Sequence, residues 1–387
     1  MTAEPRPPSI TRYLTRQPVM LTLLLGLAIV CFVAVSGLSR LYHAQQETLG
    51  NRWFARGVTD LNAGRFNVAV TEFRTALLYS RDNYAYELKL AEALKGMKKT
   101  DEAYAYLINL WERQPENGLV NLDLGRIAAA KSDTDHALRY YHNAIYAAWP
   151  GDEEKERRDA RLELIDFLLR TGAKAQAQSE LIALEANLGD DPAQQTLVGD
   201  LFLRAQDYEH ALAAYSVSLK SNHLSSNHHN PTATAGAGLA AFELGRYSLA
   251  ARYLEAAVAA APSDADSAAR LKTAELVLRM DPFRERISVA QRNRTVVEAF
   301  ALAGERLKSC VASESAVAGA TPQPVLAEEW TKMKPQITER SLRQDPDMVH
   351  STMELVFKIE RQTNGVCGAA TDRDTALLLI AKLHEGS

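Results

Sequence analysis

The chain begins with a long apolar segment that has no counterpart later in the sequence. Val19 to Gly37 form nineteen consecutive residues without a charged side chain. As a helix, this segment would extend about 28 Å at about 1.5 Å per residue, which is close to the hydrocarbon thickness of a bilayer. Its apolar residues cover every face, whereas a surface helix of a soluble domain keeps a polar stripe. The pattern therefore predicts a transmembrane helix over residues 19–37.

The charges around the apolar segment indicate its orientation. Three arginines precede it and Arg40 follows it. Because an excess of arginine marks the cytoplasmic side, we expect residues 1–18 to be a cytoplasmic tail and the rest of the chain to be extracytoplasmic, as in a periplasmic domain on a single-pass anchor. Two alternatives stay open. A cleaved secretory signal is one, since Ala34 to Ser36 form a small-x-small site, although signal cores usually span about 7–15 residues. The other alternative is the opposite orientation, with the repeats in the cytoplasm.

Beyond a juxtamembrane helix predicted over residues 38–50, small and large residues recur at fixed offsets. An alanine marks each unit, and the successive differences in position are 34, 34, 40, 34 and 39: Ala69, Ala103, Ala137, Ala177, Ala211 and Ala250. Twelve positions earlier stand mostly small residues: Gly57, Ala91, Gly125, Ile165, Gly199 and Gly238. Four positions later stand large ones: Phe73, Leu107, Tyr141, Leu181, Tyr215 and Leu254. This spacing predicts pairs of antiparallel helices that touch at the small residues.

The pattern resembles the tetratricopeptide repeat (TPR), a helical hairpin with a period of about 34 residues. The stretch from Trp53 to Asn83 shows it well, with a tight turn at Gly64 between its two helices. The resemblance covers residues 51–280 and implies an all-α fold, a TPR helical-hairpin solenoid of about six repeats with an N-terminal transmembrane helix and a C-terminal helical cap. The burial of apolar surface also favours a solenoid, because one hairpin cannot bury its own apolar face, whereas stacked hairpins share a core.

The resemblance also implies a binding surface. In TPR proteins, the residues one and five positions after the small site face a concave groove. Carried onto this chain, these positions give the candidate partner-binding residues Arg126, Asp166, Arg170, Asp200 and Arg204. They suggest a charged groove whose arginines bind a partner's carboxylates while the two aspartates orient them. The alternative is an ordinary pair on a helix surface, because an acid often stands four residues before an arginine.

Beyond the repeats the period fades. We expect a capping helix over residues 281–310, with Asp281 as its N-cap and Pro282 at its first position. A small-residue linker is expected over 312–324, within a C-terminal helical module formed by residues 311–387.

Three cysteines bear on the redox environment. Cys31 lies in the apolar segment, whereas Cys310 and Cys367 lie far downstream. An even pair in an exported domain is compatible with one disulfide between Cys310 and Cys367. Two buried free thiols are the alternative, because spacing alone does not determine pairing.

Composition and motifs exclude several function classes. Forty-four basic against forty-eight acidic side chains leave a net charge of −4, without a basic stretch for nucleic acid. The local motifs of nucleotide binding, zinc proteolysis and serine hydrolysis are absent from the sequence. Three histidines, His223, His228 and His229, stand in a polar loop without acidic or thiol neighbours, which favours a loop over a metal site. We therefore expect no enzyme activity, cofactor, metal or small-molecule substrate.

The sequence thus predicts a non-enzymatic, membrane-anchored scaffold that binds proteins or peptides through the concave face of its repeats. The oligomeric state stays open, because an array with imperfect caps can self-associate. A different class of function stays open for the C-terminal module, which could carry a separate ligand-binding or enzymatic activity. Its potential acid–base groups are Glu328, Glu329, His350 and Glu354.

Overall fold

The computed structural model describes residues 11–222, 230–314, 323–367 and 369–385. The described residues form two compact units, with the boundary between Phe167 and Leu168. The elements formed by the described residues are helices, most of them joined in pairs by short turns, and none is a β-strand. The predicted fold class, all-α with helical-hairpin repeats, is therefore confirmed.

Helical hairpins fill the first unit. Its helices are α1 (Thr11–Asn62), α2 (Phe66–Tyr79), α3 (Tyr84–Gly96), α4 (Thr100–Arg113), α5 (Gly118–Ala130), α6 (Thr134–Ile145) and most of α7 (Glu153–Arg170). The predicted turn between the first two helices is present, and Gly64 adopts a φ of 72° there. A positive φ costs a residue with a Cβ atom energy, so glycine suits this turn.

The second unit contains the end of α7, helix α8, two further helix pairs and the C-terminal helices. After α7 come α8 (Lys174–Glu185), α9 (Pro192–Arg204), α10 (Tyr208–Asn222), α11 (Pro231–Glu243), α12 (Tyr247–Ala260), α13 (Ala265–Met280), α14 (Val289–Glu314), α15 (Gln323–Met333), α16 (Glu339–Gln344), α17 (Asp347–Thr363) and α18 (Asp372–Leu383). The predicted linker over 312–324 overlaps the end of α14 and the start of α15, and the residues between these helices lie outside the described part.

The repeat register follows from close contacts within each hairpin. All six marker alanines are fully buried. A Cβ atom added to Gly57 would lie 2.6 Å from the ring of Phe73, and one added to Gly199 would lie 2.7 Å from the ring of Tyr215. In each case the small residue meets the large residue sixteen positions later, which is the contact that the spacing predicts.

A recurring cap begins the first helix of several hairpins. An Asn or Asp side chain accepts a hydrogen bond from a backbone N–H of the first turn at Asn83, Asn117, Asp191, Asn230 and Asp264. Such caps satisfy amide protons that the helix itself leaves unpaired. They fix where each first helix starts, and therefore which of its residues face the neighbouring hairpins.

Helix α1 carries the apolar segment and continues into the first repeat. Its large apolar side chains between Met20 and Leu41 are exposed, each by more than half. By length and composition, the part from Met20 to Asn62 is suited to cross a membrane. A signal sequence near an amino terminus has the same properties, so the helix alone does not distinguish an anchor from a signal.

One predicted helix start is wrong. Asp281 does not cap a helix that begins at Pro282, because it is the C-cap of α13, and α14 begins only at Val289. The Asp281 carboxylate accepts a hydrogen bond from the backbone N–H of Phe283 at 2.9 Å and lies 3.1 Å from Nε2 of His384. An aspartate can form this local turn as readily as an N-cap. Here Asp281 forms the turn and also contacts His384, the residue that follows α18.

The C-terminal helices continue the apolar core of the repeats. Tyr247 of α12 and Val277 of α13 belong to the same buried cluster as Phe300 of α14, Met353 of α17 and Ile380 of α18. A disulfide joins Cys310, in α14, to Cys367, whose Cα atoms are 4.8 Å apart and 57 residues apart in sequence. The C-terminal helices are therefore packed against the last repeat, and the disulfide links α14 to the segment that follows α17.

Candidate partner-binding groove

In the first unit, the candidate Arg126 already has carboxylate partners within the protein. Its Nε donates to Glu163 of α7 at 2.7 Å, and its Nη1 lies 3.2 Å from the buried Asp123. Asp123 also pairs with Lys95 of α3. These contacts connect the first helices of three successive hairpins. The hydrogen bonds from Arg126 to Glu163 are the main reason why the pKa of its guanidinium is raised.

The other predicted arginines lie at helix ends. Arg170 is in the last turn of α7 and Arg204 in the last turn of α9, and both are exposed. Asp166 is half-buried on α7. Arg126 and Asp166 belong to the first unit, whereas Arg170, Asp200 and Arg204 belong to the second. Of the polar loop, His223, His228 and His229 lie outside the described residues.

Asp200 is held by a buried tyrosine. The hydroxyl of Tyr215, on α10, donates a hydrogen bond to Oδ1 of Asp200, on α9, at 2.5 Å. The Tyr215 side chain is fully buried, and added Cβ atoms at Gly199 or Gly236 would collide with its ring. Burial is the main cause of a raised pKa for the Tyr215 phenol, and the bond to Asp200 adds to it. Tyr215 therefore stays protonated and fixes the position of the Asp200 carboxylate.

Asp200 lies on the wall of a groove in the second unit, which we call the second-unit groove. Its volume is about 550 Å³, and three first helices, α9, α11 and α13, supply most of its wall. Its apolar surface comes from Leu203, Ala235, Leu239, Leu254 and Ala261. Its charged side chains are Asp200, Asp264, Asp266 and Arg270. Asp200 stands one position after Gly199, and Leu239 stands one position after Gly238. Two positions that the repeat pattern places toward a groove thus line the same cavity.

The groove's acidic character is fixed by local contacts. The Asp264 carboxylate caps α13 by accepting from the backbone N–H of Ser267 at 3.1 Å. Hydrogen bonding with Ser267 lowers the pKa of Asp264, so this carboxylate is ionised at neutral pH. Asp266 is exposed and lies 3.9 Å from the guanidinium of Arg270. Three carboxylates against one guanidinium give the groove wall a formal charge of −2.

Helix α13 completes this groove and lies within the predicted solenoid, residues 51–280, but it follows the last of the six marked units. Asp266 and Arg270 are therefore not among the candidate residues. A signal for this helix is present, because Asn230 and Asp264 stand one repeat period apart and both cap a first helix. The repeat pattern assigns Tyr215 to packing alone, although its hydroxyl orients Asp200.

The acid–base groups proposed for the C-terminal module do not form one site. Glu328 pairs with Lys332 at 2.8 Å and Glu329 with Lys358 at 3.1 Å, and both carboxylates are on the exposed surface. His350 and Glu354 instead line a cavity of about 410 Å³. Its wall includes Phe283, which stacks on His350 with ring centroids 4.9 Å apart. Within the parts of the chain that the structure describes, no group of three His, Cys, Asp or Glu residues is placed to hold a metal ion.

A buried charge cluster lies beside the disulfide. Arg306 of α14 is 8% exposed and donates to Asp374 at 2.9 Å and to the Thr363 hydroxyl at 3.0 Å. Glu360 of α17 is fully buried, and its Oε2 lies 3.7 Å from Nε of Arg306. Burial, with a smaller contribution from Asp374, raises the pKa of Glu360 to about 8, although Arg306 acts in the opposite direction. The cluster joins α14, α17 and α18.

Comparison with known proteins bears on the repeats. Residues 196–265, which run from α9 to the start of α13, match the family model described as tetratricopeptide repeat. This match confirms the predicted type of repeat. No curated protein matches the chain.

Three solved structures are similar to this chain in fold. The C-terminal part of a TPR repeat-containing protein from Cytophaga hutchinsonii is 15% identical, with a TM-score of 0.44, and the likeness covers 63% of this chain and 92% of that one. YrrB, described as a TPR protein with an unusual peptide-binding site, is 14% identical with a TM-score of 0.39, covering 51% and 95%. PilW, a type IV pilus biogenesis factor, is 15% identical with a TM-score of 0.38, covering 58% and 97%. At this similarity the likeness concerns the fold alone.

Proposed function

We propose that this tetratricopeptide repeat protein is a non-enzymatic scaffold, anchored in the cell membrane by α1, that binds a segment of another protein in the second-unit groove. The groove is the observation that carries the proposal. It offers apolar side chains, fixed carboxylates and a volume of about 550 Å³ on the first helices of successive hairpins. Helices that share a core with their neighbours form a rigid wall, which lowers the entropy lost on binding.

A photo-crosslinking amino acid in place of Leu239 tests this proposal. Leu239 is half-buried in the groove wall, so a bound segment would lie against it. In cells of the source organism, we expect ultraviolet light to attach the full-length chain to one or a few proteins. The matched control carries the same amino acid in place of Glu255, which is exposed on α12, the second helix of the same hairpin. Equal adducts from both positions, or none from Leu239, would contradict the proposal.

We further propose that the repeats lie outside the cytoplasm. The exposed apolar part of α1 supports an anchor, and a disulfide between Cys310 and Cys367 would be stable only in an oxidising compartment. The same chain in the cytoplasm would keep both thiols reduced.

Thiol counting on whole cells checks the orientation and the anchor together. Acid-quenched cells are denatured and treated with a maleimide-linked polymer, which shifts the gel band of the protein once for each free thiol. We expect one shift without reductant, from Cys31, and three shifts after reduction. Three shifts without reductant would place the repeats in the cytoplasm. No shift without reductant and two after it would mean that cleavage had removed Cys31. The Cys31→Ser variant should give no shift without reductant and two shifts after reduction, which identifies the band shift that is due to Cys31.

A further inference from the structure

The second-unit groove has two chemically different surfaces, and together they define an occupant. One surface is aliphatic, formed by Leu203 and Leu239 from α9 and α11 with Ala235 beside them. The other is acidic, formed by Asp200 on α9 and by Asp264 and Asp266 at the start of α13. An occupant that covers both surfaces needs an apolar part and a positive charge.

The acidic surface is preorganised. The Tyr215 hydroxyl holds Asp200, and the ring of Tyr215 is fixed between Gly199 and Gly236. Asp264 is fixed by capping α13. A carboxylate that is already held in place loses little conformational freedom when it binds a cation.

The single guanidinium of the wall does not neutralise this surface. Arg270 is half-buried, and its nearest approach to Asp266 is 3.9 Å, longer than a charge-assisted hydrogen bond. Arg126, one of the three arginines that the repeat pattern suggested for a partner's carboxylates, is bound to Glu163 in the first unit. The formal charge of the groove wall favours a basic partner segment over an acidic one.

We propose that the second-unit groove binds an extended segment of a partner protein in which a lysine or arginine stands next to an aliphatic residue. The basic side chain lies between Asp200 and Asp266, and the aliphatic side chain packs against Leu203 and Leu239. This inference rests on the proposed scaffold function and specifies the chemistry of its partner.

Selection from a random peptide library tests the specificity. Twelve-residue peptides displayed on phage are selected on the full-length chain in detergent micelles, and synthetic peptides of the consensus are titrated. We expect lysine or arginine beside an aliphatic residue to be enriched. Asp200→Asn combined with Asp266→Asn should weaken the consensus peptide about tenfold, because two carboxylates that face its cation are neutralised. Asparagine at position 200 keeps an oxygen that can accept the Tyr215 hydrogen bond, so the fold is preserved.

The matched control is Glu255→Gln, which removes one exposed carboxylate from α12, outside the groove. It should leave the affinity unchanged, and raising the salt concentration should weaken the natural chain more than the double variant. Enrichment of acidic or uncharged peptides, or equal affinity for the double variant, would overturn the inference.

The two proposals fail in different ways. If the selected peptides lack basic residues but Leu239→Asp abolishes their binding, the groove still binds proteins and only the charge specificity is wrong. If no peptide is enriched, the specificity is overturned, and the photo-crosslink at Leu239 then decides whether the scaffold proposal stands.

Discussion

Replacing Arg306 by leucine should destabilise the C-terminal helices by about 3–5 kcal/mol, because the change leaves the buried Asp374 carboxylate without its cation. Arg306 donates to Asp374 and to the Thr363 hydroxyl, and it lies 3.7 Å from Glu360. Leucine fills part of the space but satisfies none of these groups. Hydrogen exchange of the α14, α17 and α18 amides in the full-length chain measures the effect, since it reports local opening free energies.

The matched control is Lys272→Leu in the same unit. Lys272 pairs with Asp372, and both side chains are about two-thirds exposed. The substitution removes the same charge and introduces the same side chain, yet an exposed pair contributes less than about 1 kcal/mol. Equal losses of protection in the two variants would mean that the buried cluster is no more important than a surface pair. The disulfide between Cys310 and Cys367 stays intact in both variants and does not account for a difference.

The repeat architecture could be predicted because its signal is local and repeated. A small residue in one helix and a large one sixteen positions later fix the contact between two helices, as Gly57 and Phe73 show. Ile165 departs from this pattern, yet it is fully buried on an unusually long helix, α7. A single irregular position does not break the repeat, because the neighbouring hairpins supply the rest of the core.

The contacts of Arg126 were harder to predict, because its partner comes from another hairpin. Arg126 has the spacing of a groove residue, but Glu163, 37 residues later, accepts its hydrogen bonds. Whether an arginine faces a partner or a neighbouring helix depends on how successive hairpins stack, and one sequence does not contain that geometry. The same limit explains Asp281, whose contact with His384 spans 103 residues.

The caps show a signal that the sequence does contain. Asn83 and Asn117 stand one repeat period apart, and so do Asn230 and Asp264, and all four begin first helices. Side chains of this kind at the repeat period would have identified α13 as the first helix of a further unit. The acidic wall of the second-unit groove could then have been predicted from sequence.

The stability of the C-terminal helices should also fall as the pH rises, and Glu360 should be the cause. Both carboxylate oxygens of Glu360 are buried without a hydrogen bond among the described residues. Burial raises the pKa of Glu360 to about 8 from an ordinary value of 4.5. The folded chain therefore keeps a proton that the unfolded chain releases. The stabilising contribution of this group is complete below pH 4.5 and is lost progressively up to about pH 8.

Glu360→Gln should remove this dependence, because glutamine resembles the protonated carboxyl and does not ionise. Hydrogen exchange of the α17 amides at a series of pH values compares variant and natural chain at each pH, so intrinsic exchange rates cancel. We expect little difference at pH 5 and an advantage for the variant of about 2–4 kcal/mol at pH 8, since one pKa unit corresponds to about 1.4 kcal/mol. Glu354→Gln, exposed on the same helix, should follow the natural chain throughout. An advantage that is constant from pH 5 to pH 8 would show that Glu360 does not titrate in this range, because a difference in packing alone would not vary with pH.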